Sequence, residues 1–422
     1  MKTSNHQDGL AASGPRAARR RAWLGLLSVL VVCLWLNDSQ LWRPDDWIGI
    51  ESNVQVAEAE AWRQGRLDLA EREWDTALFK GKVYSHFPPL FSFVSVACLG
   101  VFGGVPHGLM VFGIAAPLAV LAYTFFLRRT GSPCWGTVCA IGLVCGTSVW
   151  PVLRSTIRGA SPYHVNQSLA VIGTLVLLHE YFGRRRIWLA GLGVLGATLS
   201  RQLTVAYLIP LGYMAWKDRG SSGRFFGLGC FALTTVAAAA ISMGLNTLKF
   251  GHPLDTGYLY IYDDRPEDDF SRDARAFGLF SPHFVPRNLY FSNLGLPTLT
   301  SIRTAGEDRT YLRPNRMGTG IWWTTPLLLW LIIDLRRILR DRELRVLFAA
   351  TCLVFAALTC FHATGSIQRG FHRFSLDYLP VLLALIVPRC LEGRRRWVTL
   401  AMVAWSVLYF AVLLPLPHIR VW

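Results

Sequence analysis

The chain has 422 residues, of which 52% are hydrophobic and 17% charged, with 16 Trp and a formal net charge of +16. Its apolar residues collect in blocks, which excludes a soluble globular enzyme and points to a polytopic membrane protein. The charge excess would suit nucleic acid, but the cations stand in short clusters between apolar runs, as topology signals do, so no nucleic-acid partner is expected.

Residues 1–18 read as a disordered cytoplasmic tail. Arg16, Arg19, Arg20 and Arg21 precede the apolar block Ala22 to Leu36. No small-x-small cleavage site follows it, so it reads as an uncleaved first helix. The polar segment 37–89 comes next. Within it Val54, Ala57, Ala59, Ala61 and Trp62 intersperse with Gln55, Glu58, Glu60 and Arg63, which predicts an interfacial helix stopped by Gly65. The segment ends in the string YSHFPPL from Tyr84 to Leu90, where Pro88 and Pro89 hold the chain extended as it meets the membrane.

Apolar blocks then fall at 90–104, 107–127, 134–153, 163–181, 187–200, 203–216, 225–248, 320–334, 346–361, 375–388 and 397–415. Several approach the roughly 20 residues that span a bilayer. Placing the Arg and Lys clusters in the cytoplasm puts 37–89, 154–162, 250–318 and 362–374 outside. That arrangement has one crossing too many before Arg128, so 90–104 is expected to be interfacial or re-entrant. The expected architecture is an all-α integral membrane bundle of about 11–12 transmembrane helices with extracytoplasmic interfacial helices. It divides into a transmembrane module 19–249 carrying the first outer loop, a second outer loop 250–318, and C-terminal helices 319–422. The expected location is the inner (plasma) membrane, with the N-terminus cytoplasmic and the C-terminus extracytoplasmic.

Nine cysteines lie almost wholly inside apolar blocks and show neither a disulfide framework nor zinc spacing. The acidic run Asp263 to Asp269 reads as a solvated loop, so no metal and no cofactor is expected. Glycines 191–196 lie in an apolar run, where small residues let helices pack closely.

The residues suited to chemistry sit in or beside the outer segments. Arg201 interrupts two apolar runs, where an unpaired cation is expensive and faces a cavity or a partner. Arg369 and Arg373 precede another apolar run, and Asp377 offers either of them a partner. Tyr84, Ser85, His86 and Lys82 precede the Pro-Pro step. Carboxylates are available at Asp45, Asp46 and Glu51, the last followed by Ser52 and Asn53.

The strings IESNVQVAEAEAWRQGRLDL and WDTALFKGKVYSHFPPL resemble the first outer loop of GT-C-type membrane glycosyltransferases, the superfamily of protein O-mannosyltransferases and lipid A aminoarabinose transferases. GLGVLGATLSRQLTVAYLIP, MGTGIWWTTPLLLWL and GSIQRGFHRFSLDYLPVLLALI fit as well. The resemblance implies transfer, with inversion, of a sugar carried on a polyprenyl phosphate to a lipid, glycan or protein acceptor on the outer face. It implies Glu51 as general base, where Asp is the common residue; Asp45 and Asp46, close by in the same loop, are the alternative bases. Arg201 with Arg369 or Arg373 would hold the lipid phosphate, and Asn53, Lys82, Tyr84, Ser85 and His86 would line the substrate pocket. Two other classes remain open: a transporter or flippase, and an inactive scaffold of the same fold.

Overall fold

The computed structural model of the protein describes residues 15–35, 53–73, 75–106, 108–159, 161–217, 221–263, 269–304, 307–315, 317–365, 370–387, 389–414 and 419–420. Helices dominate. The first, α1 (Pro15–Trp35), contains the Arg-rich start and the first apolar block. After it α2 (Val54–Arg63) begins at Asn53, whose side chain accepts from the backbone N–H groups of Gln55 and Val56 at 2.9 and 3.1 Å. The predicted stop is realised at Gly65, which adopts φ +73°.

Although the sequence pattern reads α2 as amphipathic, its polar residues Gln55 and Glu58 are fully buried. The Gln55 amide donates to the Pro88 carbonyl at 2.8 Å, and the Asn166 amide donates to Gln55 at 3.1 Å. These bonds fasten the helix to the Pro-Pro step and to a later helix.

A hairpin the alternation of residues did not announce follows: β1 (Thr76–Phe79) pairs antiparallel with β2 (Lys82–Ser85). Its two-residue turn, Lys80 and Gly81, has φ +50° and +75°, the paired positive φ of the tight hairpin turn that matches strand twist.

Four helices among the described residues are long and apolar enough to cross a membrane: Leu109–Thr130, Gly223–Phe250, Arg342–Cys360 and Arg395–Leu413. Others are shorter or broken. α3 (Leu90–Phe102) has 13 residues, about 20 Å of rise against the roughly 30 Å of hydrocarbon. It lies against α2, with the Arg63 guanidinium donating to the Leu99 carbonyl at 3.0 Å. The regular helix α4 (Ala116–Thr130) completes the first long span. The block 134–153 is not one straight rod: α5 (Pro133–Val144) and α6 (Val149–Gly159) meet at a bend of 70°. At the break the Thr147 hydroxyl donates to the Leu143 carbonyl and accepts from the Val149 N–H, supplying backbone partners that the interrupted helix lost.

The next two helices, α7 (Pro162–Tyr181) and α8 (Ile187–Ser200), pack through glycine. A Cβ added at Gly193 would stand 2.6 Å from the Gly173 carbonyl oxygen, and one at Gly173 2.4 Å from that of Gly193. The backbones are therefore too close for any side chain at those positions, which realises the small-residue reading of that run.

Chain reversal after α8 runs through Arg201 and a 3₁₀ turn, Gln202–Tyr207, into α9 (Leu208–Lys217), and α10 (Ser221–Phe250) follows. The second outer segment carries the short α11 (Asp269–Phe277) and α12 (Val285–Leu289) and a hairpin of β3 (Thr298–Thr304) and β4 (Glu307–Arg313). α13 (Ile321–Thr324), α14 (Leu329–Arg340), α15 (Arg342–Cys360), α16 (Leu379–Ile386) and α17 (Arg395–Val407) complete the bundle.

Charge separates along the bundle. Three basic clusters distant in sequence meet at one end, where Arg185 and Lys217 both pair with Glu343 and Arg186 pairs with Glu180 at 2.6 Å. α8 starts at this end, beside Arg186, and finishes at Arg201 on the other.

Candidate functional site

At that second end, two helix interruptions bring arginines together. Arg201 follows the last residue of α8, and Arg373 opens a 3₁₀ turn, Arg373–Asp377, just before α16. Their guanidinium groups lie over the same Phe374 ring, each 5.1 Å from its centre. Like charges share one aromatic platform here, whose electron-rich face attracts both.

Asp377 fixes the first of them. Its carboxylate, wholly buried, accepts from Arg201 Nε at 3.0 and 3.2 Å and from Nη2 at 2.8 Å. The Tyr207 hydroxyl donates to the Asp377 backbone carbonyl at 2.7 Å, so side chain and main chain of one residue hold both ends of the 201–207 turn. This fork leaves Arg201 Nη1 making no hydrogen bond among the described residues.

Arg373 also stacks on Tyr163, 4.8 Å from the ring centre, and the Tyr163 hydroxyl is hydrogen-bonded to the Asp75 carboxylate. Burial lowers the Arg373 pKa, and the tyrosines Tyr163 and Tyr258 act in the opposite sense. A guanidinium starts so high that it remains a cation. Tyr258 extends the cluster toward the hairpin, with the His86 ring against it at 5.0 Å and the His362 ring at 5.3 Å. Burial holds the Tyr258 hydroxyl above its ordinary pKa.

A second polar knot underlies the Pro-Pro step. Lys249, in the last turn of α10, pairs with Glu58 of α2, both essentially sealed from solvent. Its ammonium also donates to the Ser85 carbonyl at 3.0 Å, and the Ser92 hydroxyl donates to the other Glu58 oxygen at 2.5 Å. Three segments far apart in sequence are thereby locked together behind His86.

Of the residues expected from the sequence, Arg201, Arg373 and His86 meet around Tyr258 and Phe374. Ser85 lies beneath them, bonded through its carbonyl to Lys249. Tyr84 packs its ring on Phe250 at 5.7 Å, and Asn53 serves as the α2 cap. Lys82 is 61% exposed on the hairpin and stands 3.8 Å from Asp68. Asp46, Glu51 and Arg369 lie outside the described residues, as does most of the acidic run 263–269. Among the described residues no cluster of His, Cys, Asp and Glu has the makings of a metal site.

Sequence reasoning missed Asp75, Tyr163, Tyr258, Glu58 and Lys249. The one signal available was Lys249, a lone cation at the outer end of a long apolar run.

No protein-family model and no curated protein matches the sequence. Solved structures do. The oligosaccharyltransferase of Archaeoglobus fulgidus, solved in its apo form, superposes with a TM-score of 0.50 at 14% identity, covering 95% of this chain and 56% of that one. ArnT of Cupriavidus metallidurans, solved with undecaprenyl phosphate bound, matches with a TM-score of 0.41 at 11% identity over 92% of this chain and 62% of its own. The chain has a GT-C fold. It spans between about half and two-thirds of the length of these two proteins. At such identities the likeness is one of fold, and the chemistry rests on the side chains described above.

Proposed function

We propose that the protein is a membrane glycosyltransferase that takes a sugar from a polyprenyl-phosphate donor and passes it, with inversion, to a lipid, glycan or protein acceptor on the outer face. The observation that carries this reading is the pair of guanidinium groups, Arg201 and Arg373, gathered at the Phe374 ring at the bundle end away from the basic clusters. Those clusters mark the cytoplasmic side by the positive-inside rule. The protein then lies in the inner (plasma) membrane, with its N-terminus inside and its C-terminus outside.

In the reaction the acceptor oxygen attacks the anomeric carbon as the carbon–oxygen bond to phosphate breaks, and the phosphate departs with the electron pair. Arg373 and the outer nitrogen of Arg201 stabilise the charge that gathers on that leaving oxygen. A phosphate leaves well, so no second carboxylate is needed as acid. The acceptor proton passes to a carboxylate of the first outer segment, for which Glu51 is the assignment. A second reading gives that role to Asp75, because its hydrogen bond to Tyr163 places it beside Arg373.

Detergent-solubilised protein and radiolabelled polyprenyl-phosphate sugar test the proposal. Wild type should form a glycosidic product, and Arg373→Ala should slow it by about 100- to 1,000-fold, the usual effect of deleting one stabiliser of developing charge. Whichever of Glu51→Gln and Asp75→Asn abolishes turnover identifies the base. Movement of donor across vesicles without glycosidic product would establish a transporter instead. Neither activity would establish a scaffold.

A further inference from the structure

The last turn of α9 carries two rings, Tyr213 and Trp216, whose spacing of three residues makes them neighbours on the helix surface. Cations from three helices gather on them. The Lys217 ammonium of α9 and the Arg342 guanidinium of α15 each stand 5.7 Å from the centre of the Tyr213 ring, and the Arg224 guanidinium of α10 stands 5.2 Å from the Trp216 ring. This is the bundle end where Arg185 and Lys217 share Glu343.

Three features define what would complete the patch. First, its charge is uneven: Glu343 is already divided between two cations and Asp341 caps α15, while Arg224 and Arg342 form no ion pair among the described residues. Like charges gathered on neighbouring rings repel, and an anion set between them relieves that repulsion. Second, a ring attracts a guanidinium but offers it no oxygen, so the N–H donors of both arginines remain for a phosphate, which accepts two at once from a guanidinium. Third, the patch borders exposed hydrocarbon. Phe225 and Phe226, next to Arg224 on α10, are 76% and 62% exposed. Gly229, one turn beyond Phe225, has nothing within 4 Å of the place a Cβ would take, so an alkyl chain can lie against the helix backbone there. A free phosphate would leave that apolar track uncovered.

We propose that the corner formed by α9, α10 and α15 binds an anionic phospholipid of the leaflet at this end of the bundle, its phosphate between Arg224 and Arg342 and one acyl chain along α10 past Phe225 and Gly229. The site lies at the opposite end from the Arg201 and Arg373 cluster. It requires only that the protein be embedded in a membrane and does not depend on the glycosyltransferase reading.

Dioleoyl phosphatidylglycerol and dioleoyl phosphatidylcholine, titrated separately into the detergent-solubilised full chain, make the direct test, with bound lipid counted by native mass spectrometry. Wild type should hold the phosphatidylglycerol at least about 10-fold more tightly. Arg224→Ala and Arg342→Ala should each weaken it by about fivefold, the usual share of one cation near an anionic headgroup. The double variant Arg394→Ala, Arg396→Ala removes two cations at the start of α17, outside the patch, and should leave phosphatidylglycerol binding within about twofold of wild type. Melting curves accompany each variant, and if Arg342→Ala, beside the α15 cap, fails to fold, Arg224→Ala decides.

Equal retention of both lipids by wild type overturns the proposal. So does equal weakening by the α17 double variant, which would reveal a diffuse surface potential instead of a site. Displacement of the lipid by an equal concentration of inorganic phosphate overturns the lipid as occupant. Glycosyl transfer, read at the other end of the bundle, stands or falls separately from each of these outcomes.

Discussion

Replacing Lys249 by Met removes the cation from a pair whose members are 4% and 0% exposed, and leaves Glu58 buried with only the Ser92 hydroxyl against it. An uncompensated charge in such a place costs about 3–5 kcal/mol, whereas an exposed surface pair is worth less than about 1 kcal/mol. Glu58→Gln alone strands Lys249 in the same way. The double variant strands neither, since the Gln amide oxygen still accepts from Ser92 and the Met fills the apolar volume beside Trp62, whose ring centre is 5.8 Å from the ammonium. Melting temperature in detergent should therefore drop sharply for each single variant and recover most of the way in the double variant. The two single costs would add to about 6–10 kcal/mol if independent, and we expect the double variant to show less than half that sum. Additive losses, or single variants within about 0.5 kcal/mol of wild type, would refute the picture of Lys249 and Glu58 as a sealed pair.

The buried imidazole of His362 is pushed down from 6.5 to about 3, by burial first and by the nearby Arg287 second. Its folded-state pKa lies below the unfolded one, so the unfolded chain takes up the proton first. Stability should hold above pH 6.5 and fall between pH 6.5 and 3 by up to about 1.4 kcal/mol per pH unit, a slope reduced in His362→Gln melting curves. Gly193→Ala should cost about 1–3 kcal/mol, because its new methyl meets the Gly173 carbonyl, and should also slow turnover by displacing the Arg201 end of α8. Lys80→Asn should stabilise the first hairpin by about 0.5–1 kcal/mol in the same melting assay, since Asn tolerates the positive φ that Lys endures.

How much of this could be read from residues alone depends on the range over which each signal acts. Arg201 and Arg373 stood out because a cation beside apolar runs is costly wherever the chain goes, and the fold brings both to the Phe374 ring. Asp75 gave no such sign: in WDTALF it looks like any solvated loop carboxylate, and only folding of the hairpin brings it to Tyr163. Lys249 shows in the sequence only as a lone cation at the end of an apolar run, because its partner Glu58 is 191 positions away. The bend between α5 and α6 was hidden for a different reason, as hydropathy averages over Gly146 and Thr147 and sees one continuous block. The assumption that α2 points its polar residues to water failed because Gln55 and Glu58 find buried partners that an isolated helix lacks.

Asp377 clasps Arg201 with its carboxylate and Tyr207 with its carbonyl, which makes the 201–207 and 373–378 turns a single stiff jaw. Under the proposed reaction, whatever yields when a bulky sugar lipid enters must then lie outside this jaw, in the first outer segment, where Tyr260 leans on Phe79 of the hairpin. Entry and exit under that proposal become properties of the first outer segment, while the Arg201 charge stays bolted to Asp377.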